Sequence, residues 1–108
     1  MKKGEIWIVE LPQTDSREQH GTRPVIILTD TKSSVAIIIP CTSNLQALRL
    51  PHTIRIEASK QNGLAMPTIA LVLQLRAIDK IRLQKKIGVL EKPTLDDINS
   101  MIRELLDV

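Results

Sequence analysis

The apolar positions of this chain gather into six short runs and one stretch of helical period, each bounded by turn residues. Glu5 to Leu11 reads Glu-Ile-Trp-Ile-Val-Glu-Leu, a β-branched and aromatic composition that predicts a first strand, and Pro12 ends it. Pro24 to Leu28 and Val35 to Ile39 are continuous apolar runs. The polar residues Thr29 to Ser34 between them predict a hairpin whose strands form the centre of a sheet. His52 to Glu57 alternates polar and apolar like a half-buried strand, Gln61-Asn62-Gly63-Leu64 is a turn, and Thr68 to Leu75 is almost wholly apolar. Arg76 to Gln84 then turns polar, and Lys85 to Leu90 supplies a last strand. Two connections, Gln13 to Thr22 and Asn44 to Pro51, are polar; the first is longer than a hairpin requires, which marks it as a functional loop. The chain closes with a helix: Thr94 is placed to N-cap it with Asp97 in the capping-box position, and Leu95, Ile98, Met101, Ile102, Leu105 and Leu106 recur on one face. The expected fold is therefore mainly β with α, a single domain over residues 1–108, built as a small barrel or sandwich with a C-terminal amphipathic helix.

Composition narrows the class. At 108 residues and 43% hydrophobic content the chain has the size of one domain with a modest core. Its single cysteine, Cys41, allows no intramolecular disulfide, which points to a reducing compartment, the cytoplasm. The basic start, Met1-Lys2-Lys3, is not followed by the apolar segment of a signal peptide, and no apolar run has membrane-spanning length. The formal net charge is only +3, but between Arg76 and Lys92 six cations stand against Asp79 and Glu91 alone. That local surplus is either a footprint for a polyanion or an ordinary solvated face. With one Trp and no Tyr or Phe, the chain lacks a base-stacking platform, so a nucleic-acid site here must rely on charge, hydrogen bonds and shape.

The candidate chemistry lies where the two central strands meet polar clusters. Glu18-Gln19-His20-Gly21-Thr22-Arg23-Pro24 runs into the first, and Pro40-Cys41-Thr42-Ser43-Asn44 follows the second. Pro24 biases Arg23 toward an extended backbone, so the arginine is aimed rather than loose. If the strands pair, Glu18, Arg23 and Thr42 share one pocket. An acid, a fixed cation and a hydroxyl, with no Cys/His metal spacing, suit work on a phosphodiester. Arg23 is then an electrostatic clamp and proton donor, with Glu18 the easier general base; the plainer alternative is an ion pair that staples the loop. Ser43 and Asn44 could add donors to the same phosphate or to a base edge. Cys41 with His20 or His52 as base suggests a thiol nucleophile, but Cys41 follows a fully apolar strand without a local motif and fits a buried inert thiol better. His20, beside Glu18, is a better functional candidate than His52.

Taken in order, Gly4-Glu5-Ile6-Trp7-Ile8-Val9, Glu18 to Val25, Ile39-Pro40-Cys41-Thr42-Ser43 and Gln74 to Leu83 resemble the landmarks of the MazF/PemK-type toxins of bacterial toxin-antitoxin modules. The resemblance implies an SH3-like β-barrel of the CcdB/MazF type assembled as a homodimer, without metal or other cofactor. It implies a sequence-specific endoribonuclease toxin that cuts single-stranded RNA, mainly mRNA, through attack of the ribose 2′-hydroxyl, leaving 2′,3′-cyclic phosphate and 5′-hydroxyl ends. A cognate antitoxin with an acidic segment would neutralise it. Carried over by position, Arg23 and Thr42 are catalytic and Glu18 is the acid some members use nearby. Gln19, His20, Thr22, Ser43, Asn44, Gln74, Arg76, Lys80 and Arg82 are the expected substrate contacts. Leu73 stands where many members have an acidic residue. A gyrase poison of the CcdB kind shares the fold, but its tryptophan near the C-terminus is missing from Arg103 to Val108. A non-catalytic dimeric binding module is the third reading.

Overall fold

The structure, a computed structural model, describes residues 1–11 and 21–108. The six expected strands are seven: β1 (Glu5–Leu11), β2 (Gly21–Asp30), β3 (Val35–Thr42), β4 (Thr53–Ile56), β5 (Thr68–Leu71), β6 (Arg76–Asp79) and β7 (Leu83–Val89), followed by the helix α1 (Lys92–Leu106). The extra strand arises because the apolar run from Thr68 breaks at a 3₁₀ turn, Val72–Gln74. The segment after it, read from the sequence only as polar, pairs with β3 as β6. A 3₁₀ turn, Leu45–Arg49, also shapes the second connection, capped by Asn44, whose side chain accepts from the Gln46 N–H.

All ladders are antiparallel, in the order β4-β5-β3-β2-β1-β7, with β6 on β3 beside β5. Among the described residues no ladder joins β7 to β4, so the expected barrel is here an open seven-stranded sheet. The hairpin does hold the centre, with Val25 opposite Pro40 and Ile27 opposite Ile38. Its strands read as unbroken apolar runs because both faces are covered. Ile6, Ile26, Ile39 and Cys41 enter one apolar layer, onto which Leu95, Met101, Ile102 and Leu105 of α1 pack around the fully buried Ile98. Val9, Val25, Ile27 and Ile38 enter the other, closed by Met1, Trp7, Ile78 and Leu83. Leu106, expected on the packed face, is exposed at the helix end.

The helix starts two residues before its expected cap. Glu91 is extended at the N-cap, and Pro93 occupies the first turn, where its missing N–H costs nothing. Thr94 is therefore inside the helix. Glu91 does not cap with its side chain because its carboxylate is engaged elsewhere: the Ser59 hydroxyl donates to one oxygen and Asn62 Nδ2 to the other at 3.1 Å. Asn62 is fully buried and uses its whole amide. Its Oδ1 accepts from the Ser59 and Leu64 N–H groups, each at 3.0 Å, and Nδ2 also donates to the Glu57 carbonyl at 2.9 Å. These bonds tie the turn between β4 and β5 to the start of the helix.

The Ser59 hydroxyl above all, with the Asn62 amide, holds the Glu91 carboxyl below the ordinary glutamate range against its partial burial. A folded-state pKa below the unfolded one stabilises fully above the unfolded value of about 4.3 and is lost as pH falls through the folded value. Glu91→Gln is accordingly expected to lower stability at pH 7 and to shrink the difference between urea midpoints measured at pH 7 and pH 3. A pH difference equal to that of the unsubstituted protein would show that Glu91 does not contribute.

Candidate functional site

Arg23 is the third residue of β2, held opposite Val9 in the β1 ladder, and Gly21 at φ +84 lets the chain enter the strand. Thr42 ends β3 and is fixed from the other side by its pairing with Ile69 of β5. Two residues beyond the last β2–β3 pair, Val25 with Pro40, come Arg23 and Thr42. Strand alternation sets both on the face of Val25 and Ile38. The register thus leaves both residues at the same end of the central hairpin. Thr42 is 5% exposed, and its Oγ1 accepts from the Asn44 N–H at 3.2 Å, a bond that uses an oxygen lone pair and not the hydroxyl hydrogen.

Pro24 and Ser43, each one residue further along, belong to the opposite face and line a cavity of about 310 Å³ that Arg23 borders. Ile8 lies across from Pro24 in the β1 ladder, and Leu64, Ala65, Met66, Thr68 and Ile87 complete the wall. None of these wall residues was singled out from the sequence. They come from β1, β5, β7 and the turn before β5, and no local motif links them.

The remaining expected contacts are dispersed. Glu18, Gln19 and His20 lie outside the described residues. Thr22 is exposed, with its hydroxyl 3.5 Å from the Glu10 carboxylate. Ser43 is exposed, and the Asn44 side chain is occupied as the cap of the 3₁₀ turn. Gln74 ends its own 3₁₀ turn, and Arg76 pairs with Ile38, four residues before Thr42. Lys80 and Arg82 belong to a 3₁₀ turn, Lys80–Arg82, at the other end of the sheet. Lys80 is bound to the Asp30 carboxylate and donates to the Thr31 carbonyl. Asp30 is seven residues along β2 from Arg23, roughly 23 Å for an extended strand.

The basic run is also less cationic in space than along the chain. Lys80 pairs with Asp30, Lys86 with Glu5 at 3.2 Å and Lys92 with Asp96 at 3.1 Å. Burial alone would push the Glu5 carboxyl up. Donation from the Trp7 indole N–H and Lys86, with a backbone N–H bond, instead brings it below the ordinary range. Hydrogen bonding from Lys80 lowers Asp30 in the same way.

Burial pushes the Cys41 thiol up to about 12, so at neutral pH it is protonated and packed, the inert reading rather than the nucleophile. His52 turns the chain into β4 at φ 55, and its carbonyl accepts from the Val72 N–H. Among the described residues no three Asp, Glu, His or Cys side chains converge in a way that could hold a metal ion, and no helix is long and apolar enough to cross a membrane.

A family model described as PemK-like, MazF-like toxin of type II toxin-antitoxin system matches residues 2–106. The chain is 30% identical over 107 residues to endoribonuclease EndoA of Bacillus subtilis (strain 168), covering 95% of this chain and 91% of that protein. Its fold is similar to the crystal structure of MazF from Deinococcus radiodurans, with a TM-score of 0.82 at 18% identity, covering 100% of this chain and 97% of the other. It is also similar to a mycobacterial endoribonuclease solved in complex with its cognate antitoxin, with a TM-score of 0.71 at 14% identity, covering 98% and 92% of the two chains.

Proposed function

Because the chain belongs to the PemK-like, MazF-like family of toxins of type II toxin-antitoxin systems, we propose that this endoribonuclease cuts single-stranded RNA, mainly mRNA, in the cytoplasm at the Arg23–Thr42 end of its central hairpin. The observation that supports this reading is the β2–β3 register, whose last pair, Val25 with Pro40, leaves Arg23 and Thr42 each two residues beyond it at one end of the hairpin. The scissile phosphate sits between them. Arg23 holds two of its oxygens in parallel hydrogen bonds and stabilises the charge that builds up at phosphorus, and the Thr42 hydroxyl donates to a non-bridging oxygen.

The nucleophile is the neighbouring ribose 2′-hydroxyl. Its proton passes to a general base, Glu18 in this reading, as the O2′–P bond forms. The P–O5′ bond breaks, and the departing O5′ takes up a proton. The products are a 2′,3′-cyclic phosphate and a 5′-hydroxyl, with no water consumed and no metal ion needed. An arginine, with a pKa above ~12, is a poor base at neutral pH, so its contribution is electrostatic, together with proton donation. Two copies of the chain form the working toxin, and a cognate antitoxin neutralises it. The mycobacterial complex of similar fold supports that partnership.

The test is incubation of the purified protein with long single-stranded RNA in EDTA, followed by mapping of cut positions and end groups. Discrete cuts bearing 2′,3′-cyclic phosphate and 5′-hydroxyl are expected. Thr42→Ala is expected to slow cleavage by roughly a hundredfold, the usual cost of one lost transition-state donor, while Thr42→Ser restores most of it. Folded dimer that leaves the RNA intact would overturn the ribonuclease reading.

A further inference from the structure

We propose that the cavity behind the Arg23–Thr42 end is the seat of an unpaired nucleobase of the RNA, and that Met66 is the residue that sets which base it accepts. This rests on the ribonuclease reading above and deepens it. Position is the first argument. Arg23 borders the cavity, and Ser43, next to Thr42, lines it, so a nucleotide adjoining the scissile phosphate reaches it by folding its base over the strand ends.

The lining is the second. Ile8, Pro24, Leu64, Met66 and Ile87 make the walls apolar, with Ser43 as an exposed polar group at the side. Apolar walls exclude the phosphate and ribose hydroxyls, which keep their water or their charged partners. A flat ring with a hydrogen-bonding edge is the part of a nucleotide that fits.

Rigidity is the third. Gly63 stands at φ +72 with its Cα against the Ile87 carbonyl, closely enough that a Cβ would lie 1.9 Å from that oxygen. The Leu64 N–H is held by the buried Asn62, and the Thr68 hydroxyl donates to the Met66 carbonyl at 2.9 Å. The rim is therefore preorganised, while Met66, 52% exposed, adds a flexible and polarisable side chain to the lining. In a chain without Tyr or Phe, with Trp7 packed into the other apolar layer and Arg23 assigned to the phosphate, the thioether is the lining group left to lie against a base.

The chain has three methionines, Met1, Met66 and Met101, which makes the test direct. The protein labelled at the methionine methyl carbons is titrated with a single-stranded RNA containing its cut sequence, made uncleavable by a 2′-deoxy nucleotide at the cut. The Met66 methyl is expected to move upfield under the ring current of a stacked base, while Met1 and Met101 stay in place. On cleavable RNA, Met66→Ala is expected to raise KM about threefold to tenfold, the range of a lost sulfur–ring contact. It should also relax base preference at one position beside the cut, with kcat within about twofold and Met66→Leu intermediate. A Met66 methyl unmoved by saturating RNA, or unchanged preference and KM in Met66→Ala while Thr42→Ala is slowed, would overturn the cavity assignment alone. Failure of any RNA to bind would overturn the ribonuclease reading and this one with it.

Discussion

Arg23→Ala is expected to lower RNA cleavage by about a thousandfold, at the upper end of what one preorganised transition-state donor supplies, with the fold retained. The proposed role belongs to the side chain, whereas the strand pairing belongs to the backbone. The backbone of Arg23 is held by the β1 ladder opposite Val9, and alanine preserves those bonds. The residue stands at the strand end, half-buried and outside both apolar layers, so truncation opens no core cavity. The substitution removes the cation that the proposed mechanism assigns to the scissile phosphate. Arg23→Lys is the informative companion: it keeps the charge but not the paired donor geometry, and should recover only a small part of the rate. Single-turnover cleavage of a defined RNA, with thermal unfolding measured on the same samples, gives the answer. Near-normal cleavage by folded Arg23→Ala would remove Arg23 from the mechanism.

Gly63→Ala is expected to destabilise the protein by about 4 kcal/mol, near the extreme of single substitutions and a large part of the 5–15 kcal/mol typical of a domain. Two costs combine. A left-handed φ of +72 costs an L-residue about 1–2 kcal/mol. The larger cost is collision, because the new methyl would stand 1.9 Å from the Ile87 oxygen and 2.6 Å from its carbon, and no rotamer moves backbone atoms. Relief requires the turn to lift off β7. That would break the Val89 N–H bond to the Gln61 carbonyl and disturb the bonds of the buried Asn62. Gly88 faces the same contact from the other side, where a Cβ would stand 2.3 Å from the Asn62 carbonyl carbon. Gly21→Ala is the control: its φ is +84, yet among the described residues nothing lies within 4 Å of an added Cβ, so it should cost only the conformational part. Urea midpoints of the two variants should differ widely. Equal midpoints would mean that the close approach at β7 is relieved at little cost.

The pair of predictions separates two kinds of residue that the chain itself displays very differently. Arg23 was visible because Pro24 follows it and an apolar run follows Pro24, a local arrangement that already implies a side chain aimed at a strand's mouth. Gly63 was visible only as a turn residue; that its lost side chain makes room for β7 appears only once β7 is beside it. The buried Asn62 and its bonds to Ser59 and Glu91 were hidden for the same reason, since 29 residues separate Asn62 from Glu91. Glu91 in turn explains the misplaced helix start. Thr94 and Asp97 carry the local signature of a cap, but Pro93 is equally suited to a first turn, and the contacts made by Glu91 favour the earlier start. The basic run from Arg76 to Lys92 looked like one patch because Asp30 and Glu5, which neutralise two of its lysines, are distant in sequence.

The sequence by itself determined the element types: β1 to its ends, the central hairpin, the amphipathic helix, and the arginine and threonine placed at two strand mouths. Those are short-range properties, set by side-chain period, β-branching, proline and turn residues within a few positions of one another. Only the tertiary structure decided that β6 is a strand, that the sheet stays open, that Arg23 and Thr42 share a face, and that apolar side chains from separate segments wall a cavity behind them. Each of those depends on which backbone edges and side chains meet across long stretches of chain. Such meetings are selected by the packing of the whole molecule, and no local window of residues encodes them.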